Sequence, residues 1–140
     1  MITQITYIGH VVRDINKGIE VYTKGLGLKQ ASPNINVIPG GRAVMITVGT
    51  QSIELIEPTD TEHRVGRFLQ THGEGFFHLS LRCDDIEATV KSMRAAGIQV
   101  EDPRFILPNR PGPRIAFLEP SSVMGGWIEL NERGPASPRA

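Results

Sequence analysis

The sequence predicts an α+β chain in which one βαβββ unit is used twice. Three observations carry that reading. A strand pattern containing a histidine stands near the start of each half, at Ile5 to Val12 with His10 and at Phe76 to Cys83 with His78. Each is followed by an Asp-Ile pair, Asp14-Ile15 and Asp85-Ile86, that opens a helical pattern closed by glycine. The tripeptide Ile-Glu-Leu then recurs in the last strand of each half, at Ile53-Glu54-Leu55 and Ile128-Glu129-Leu130. Internal repetition on this scale constrains the whole architecture. The 140 residues are expected to form a single domain, with modules at about 1–58 and 73–132 and a polar, proline-containing tail over 133–140.

In chain order, Ile5 to Val12 alternates as a strand, and Asp14 caps a helix from Ile15 to about Lys24 whose Ile15, Ile19 and Tyr22 keep helical spacing. Leu28 to Ala31 reads as a short strand, and Ser32 to Gly41, with two prolines and two glycines, as an irregular connection. Ala43 to Val48 and Ser52 to Glu57 form a hairpin about Gly49-Thr50. Glu62 to Thr71 is a second helix, with Val65, Phe68 and Leu69 on its apolar stripe and His63 and His72 as surface residues. The strand at Phe76 to Cys83 should place Phe77, Leu79, Leu81 and Cys83 on a packed face and Phe76, His78, Ser80 and Arg82 on a wetter one. A helix follows over Ile86 to Ala96, then a strand near Ile98 to Glu101. Pro103 to Pro113 carries four prolines and is a loop. Arg114 to Leu118 and Trp127 to Leu130 are the closing strands.

Composition removes several classes of partner. Fifteen Lys and Arg balance fifteen Asp and Glu, with no basic run, so the electrostatic footprint of a nucleic-acid binder is missing. No segment approaches the length of a membrane span, and Met1 to His10 lacks a charged region followed by an apolar one, which makes a cytoplasmic location the expectation. Cys83 is the single cysteine, so no disulfide forms within the chain, and its strand position makes it a small buried hydrophobe.

The duplication brings four polar residues into corresponding places: His10, Glu54, His78 and Glu129. In each Ile-Glu-Leu the glutamate points away from its aliphatic neighbours. Two carboxylates converging without a cation would repel each other and resist ionisation. A divalent ion removes that difficulty, and two imidazoles with two carboxylates suit Zn, Ni, Co, Mn or Fe with room left for water. The other reading is that each glutamate pairs with an arginine, such as Arg42, Arg82 or Arg114, and that the histidines are hydrogen-bonded structural residues.

The segments IGHVVRDINKGIEVYTKGLGL, QSIELIEPTD, VGRFLQTHGEGFFHLSLRCDDIEATVKSMRAAGI and RIAFLEPSSVMGGWIELNE resemble the vicinal oxygen chelate superfamily of glyoxalases, bleomycin resistance proteins and dioxygenases, and within it the methylmalonyl-CoA epimerases. The resemblance implies two βαβββ modules in a cupped mixed sheet around a divalent ion, with His10, Glu54, His78 and Glu129 at the ligand positions. It implies a metal-dependent epimerase or isomerase of an acyl-CoA acting through a metal-stabilised enolate, with Glu129 as first candidate base and Glu54 as second. By the same analogy the protein is a homodimer whose partner is a small-molecule substrate. Two other activities fit the superfamily: a glyoxalase I-type lactoylglutathione lyase acting on thiol adducts, and a ligand-sequestering drug-resistance protein without metal. Extradiol ring cleavage on Fe(II) ranks below these, since Glu54 would occupy a position that oxygen or substrate needs. The chain departs from the epimerase pattern in three places. It has no Asp or Glu between Gln30 and Glu54, where some epimerases carry an extra acid on the strand that here runs Ala43 to Val48. It has Phe77-His78 in place of a paired histidine, and prolines in place of a glycine-richer loop at Pro103 to Pro113.

Overall fold

The structure, a computed structural model, describes residues 1–106 and 111–132. The expected tail over 133–140, and the part of the Pro103 to Pro113 loop that includes Arg110, lie outside the described residues. The chain divides into two compact units, one made of Tyr7–Phe77 and the other of Met1–Thr6 with His78–Ala140.

In the unit Tyr7–Phe77 the sheet is ordered β2-β4-β5-β1. Strand β1 (Ile2–Val11) lies parallel to β5 (Gln51–Pro58), and β5 is the second arm of a hairpin with β4 (Gly41–Val48). Gly49 turns that hairpin with φ +60, a conformation that a side chain resists. Strand β2 (Lys29–Gln30) pairs with β4. So does β3 (Asn36–Ile38), a three-residue strand inside the stretch expected to be irregular.

Helix α1 (Ile15–Glu20) starts where Asp14 accepts hydrogen bonds from the backbone N–H groups of Asn16 and Lys17. It is shorter than its apolar spacing predicts, because Val21–Gly25 widens into a π-helical turn. Leu26 N donates to the Val21 carbonyl, while the Thr23 hydroxyl donates to the Ile19 carbonyl at 2.7 Å and competes for the acceptor that a regular turn would use. Against this segment pack Val12, Ile15, Tyr22, Val44, Ile46 and Leu55. Helix α2 (Arg64–His72) begins two residues later than expected. Asp60 spends its carboxylate on the Glu62 N–H in a preceding turn, and the His63 side chain caps the helix by accepting from Val65 N.

In the other unit the order is β6-β9-β8-β7. Strand β6 (Gly75–Cys83) runs parallel to β9 (Ile128–Glu132), and β9 is antiparallel to β8 (Arg114–Phe117). The two-residue strand β7 (Arg104–Phe105) forms the outer edge, within the segment expected to be a loop. The first residues of β1 run along β6: the Thr3 hydroxyl donates to the Arg82 carbonyl at 3.3 Å and the Thr6 hydroxyl to the Ser80 carbonyl at 3.1 Å. Helix α3 (Ile86–Ala95) is capped by Asp85, which accepts from Ala88 N. The expected strand near Ile98 to Glu101 reduces to a single bridge between Val100 and Leu118. Strand β9 continues past Leu130 to Glu132, whose carboxylate is held by Arg114 at 2.6 Å. Cys83, Ile86, Val90, Ala116, Leu118 and Leu130 form the core between α3 and its sheet.

The α+β class and the duplicated order therefore stand. Each unit has a first and last strand in parallel, an antiparallel pair beside them, and an Asp-capped helix on one face. Among the described residues no helix is long and apolar enough to cross a membrane.

Candidate active site

In the unit holding β6 and β9, Ser80 is the register partner of Glu129, so the two side chains share a face. His78 lies two residues before Ser80 and joins them there. The Ser80 hydroxyl donates to Glu129 Oε1 at 2.9 Å, and Glu129 Oε2 stands 3.9 Å from His78 Nε2. Phe117, opposite Glu129 on β8, sets its ring edge-on to His78 with centroids 5.9 Å apart. The face expected to be wet is in fact a buried polar one: His78 and Glu129 are each 5% exposed and Ser80 0%. A buried carboxylate is tolerated only when hydrogen bonds or an opposite charge replace its water, and Ser80 supplies one such bond.

The unit holding β1 and β5 does not repeat this arrangement. Glu54 is in register with Gly9 and with Met45, whereas His10 is in register with Leu55. Register partners share a face and successive residues alternate, so His10 and Glu54 lie on opposite faces of their sheet. His10 Nδ1 is 2.7 Å from the Tyr22 hydroxyl, and its ring centroid is 4.9 Å from that of the exposed Phe76. Its side is that of Leu55 and the α1 core. The expectation that His10 joins Glu54 as a metal ligand is therefore corrected.

The reason lies in the count back from the helix caps. His10 is four residues before Asp14, and His78 is seven before Asp85. The odd difference inverts the face in a structure of period two. Seven before Asp14 stands Tyr7. Register agrees: Tyr7 precedes the partner of Glu54 by two residues, as His78 precedes the partner of Glu129. Tyr7 therefore holds the position duplicated from His78, and cap-to-strand counting is the signal that would have found it.

Among the described residues no group of three or more His, Cys, Asp or Glu side chains is gathered so as to hold a metal ion. The expected set of two imidazoles and two carboxylates does not fit this chain. Glu129 accepts a hydrogen bond from the Ser80 hydroxyl. Arg42 pairs with Glu57 at 2.7 Å, and Arg114 with Glu132 and Glu87, each at 2.6 Å.

His10 has a measurable consequence of its own. Burial lowers its pKa below the ordinary histidine value, opposed by the charge of Glu74. The unfolded chain then binds more protons than the folded one just below about pH 6.5, so stability falls as pH drops through that value and levels off once the folded imidazole is protonated. Thermal melts of wild type and His10→Asn should show the larger acid loss in wild type. Equal losses from about pH 7 to about pH 5 would mean that His10 is not held neutral by the fold.

A profile described as the Glyoxalase/Bleomycin resistance protein/Dioxygenase superfamily matches residues 6–117. The mitochondrial methylmalonyl-CoA epimerase of Dictyostelium discoideum is 25% identical over 133 residues, covering 94% of this chain and 80% of the relative. The crystal structure of methylmalonyl-CoA epimerase from Mycobacterium tuberculosis superposes with a TM-score of 0.85 at 28% identity, over 96% of this chain and 90% of that one. Streptomyces coelicolor methylmalonyl-CoA epimerase in complex with 2-nitronate-propionyl-CoA does so with a TM-score of 0.84 at 27% identity, over 96% of this chain and 100% of that one.

Proposed function

Because the chain belongs to the Glyoxalase/Bleomycin resistance protein/Dioxygenase superfamily, we propose that it is an acyl-CoA epimerase or isomerase that moves a proton at the carbon next to a thioester. Similarity to epimerases supports the substrate class. The observation that carries the chemistry is Glu129, a buried carboxylate with one oxygen held by Ser80 and the other turned toward His78. A carboxylate fixed by a hydrogen bond and shielded from water is a suitable base for a weak carbon acid.

In the forward step Glu129 takes the α-hydrogen as a proton, and the electron pair left on carbon delocalises onto the thioester oxygen as an enolate. Return of a proton to the opposite face from a second group completes inversion. Glu54 is the second candidate, because β4 carries no Asp or Glu along Gly41–Val48. Negative charge on the thioester oxygen needs a positive or hydrogen-bonding partner. The His78 imidazole is the group beside Glu129 that can donate one. A divalent ion such as Co, Zn, Ni, Mn or Fe, when bound, would supply a Lewis acid for the same charge.

The test is incubation of one methylmalonyl-CoA epimer with the protein in deuterated buffer, with and without each ion. Exchange of the α-hydrogen together with inversion is expected. No exchange under any condition sinks the reading. Consumption of a methylglyoxal-thiol adduct in its place would select the lyase, a reading favoured by the same missing acid on β4.

A further inference from the structure

We infer that Ser80 and Asn131 form a two-step hydrogen-bond relay that positions Glu129, so that Glu129 acts through Oε2 and the relay sets its efficiency. The inference rests on Glu129 being the working carboxylate. Three further contacts build the relay. The Asn131 amide Nδ2 donates to Ser80 Oγ at 2.6 Å and to Thr6 Oγ1 at 2.9 Å, and the Thr6 hydroxyl donates to the Ser80 carbonyl.

With Glu129 ionised, as a base must be, every hydrogen bond in this chain of groups has one direction. An ionised carboxylate only accepts, so the single hydroxyl proton of Ser80 goes to Glu129. Ser80 Oγ must then accept from its other neighbour, which requires Asn131 to present nitrogen and not oxygen. Thr6 spends its own proton on the Ser80 carbonyl and is likewise an acceptor toward Asn131. Each group is used in one sense only, and hydrogen bonds aligned in this way polarise one another.

Burial shows that the arrangement is not a chance surface contact. Ser80 is 0% exposed and Asn131 7%, in a strand pair whose other face is apolar core. An alanine at position 80 would fill a plain sheet at least as well, and buried polar groups of this kind cost free energy unless fully satisfied. What the hydroxyl adds is orientation: with Oε1 tied to Ser80, rotation of the carboxylate is stopped and Oε2 is the oxygen turned toward His78. Ser80 and Asn131 are thus positioning residues and touch no substrate. Among the described residues, the charged or titratable groups that β6 presents to the face of Glu129 are His78 and Arg82; β8 presents Phe117 and Ile115 to this face, and β1 presents Thr6.

Ser80→Ala, Ser80→Thr, Asn131→Asp and the Ser80→Ala/Asn131→Asp double variant test this. Asn131→Asp keeps shape but replaces the donor with an acceptor that competes for the Ser80 proton. Crystal structures should show the Glu129 carboxylate in one orientation in wild type and in more than one, or a new one, in Ser80→Ala. In the exchange assay Ser80→Ala and Asn131→Asp should each lose about tenfold in kcat with KM changed less than about twofold. Ser80→Thr should recover most of that loss. The double variant should be no worse than Ser80→Ala alone, because Asn131 acts only through Ser80; independent structural effects would multiply.

An unmoved Glu129 in Ser80→Ala overturns the relay whatever the kinetics. So does a multiplicative double variant, or a Ser80→Ala enzyme with wild-type kcat beside an inactive Glu129→Gln. A Glu129→Gln enzyme with wild-type kcat overturns the underlying reading of Glu129, and the kinetic part of the relay with it.

Discussion

Glu129→Gln is expected to lower α-hydrogen exchange by about 10²–10⁴-fold, the usual contribution of a positioned general base. The substitution is nearly isosteric, and the amide oxygen can still accept from the Ser80 hydroxyl that now holds Oε1. Packing around position 129 is therefore retained, with Leu130 fully buried on the core side and Phe117 across the strand pair. Loss of activity in Glu129→Gln with an unchanged melting temperature separates chemistry from folding. Activity within about threefold of wild type would remove Glu129 from the proton transfer, since no conservative loss of a base is that small. Glu54→Gln in the same assay assigns the second role. An enzyme that still exchanges one epimer with solvent but no longer inverts it has lost the group that returns the proton.

The second large effect concerns stability. Gly66 lies in α2, and a Cβ built there would collide with the Asp60 carbonyl oxygen, with the Asp60 carbonyl carbon and Thr61 Cα each 2.9 Å away. These are backbone atoms of the turn that precedes the helix, so no side-chain rotation relieves the clash. Helix propensity alone would favour alanine by about 1 kcal/mol, while overpacking costs about 1–3 kcal/mol. The balance predicts that Gly66→Ala loses up to about 2 kcal/mol in denaturant unfolding. The loss should come with displacement of α2, whose Val65 and Phe68 are buried and whose Phe68 ring stacks on His72 at 4.7 Å. Gly18→Ala in α1 is the control: its Cβ would meet Leu55 Cδ1 at 3.4 Å, an ordinary contact. Net stabilisation of Gly66→Ala would mean that α2 does not pack this closely on the turn.

Elements with strong periodic or capping chemistry were legible from residues alone. Asp14 and Asp85 cap the helices expected of them, and the hairpin about Gly49 has the positive φ its turn demands. Both Ile-Glu-Leu strands lie parallel to the first strand of their unit. Where the reading failed, a contact invisible in sequence decided the outcome. The Thr23 hydroxyl widened the end of α1, and the Asp60 side chain delayed α2. Half of the candidate site was legible, with His78 beside Glu129. Matching the histidines of the two first strands by residue type misplaces His10, because the face depends on the parity of its distance from the cap. Ser80 and Asn131 carry no signal in sequence, since a serine in a strand and an asparagine near a chain end are common, and only the fold shows that Ser80 meets Glu129 and Asn131 meets Ser80.

That parity difference means the two repeats are no longer interchangeable parts. A chain assembled from two copies of the first would present a phenol, and no imidazole, alongside each of its Ile-Glu-Leu carboxylates. One assembled from two copies of the second would present an imidazole both times. The two repeats thus set different chemistry beside the same tripeptide, a phenol in one and an imidazole in the other.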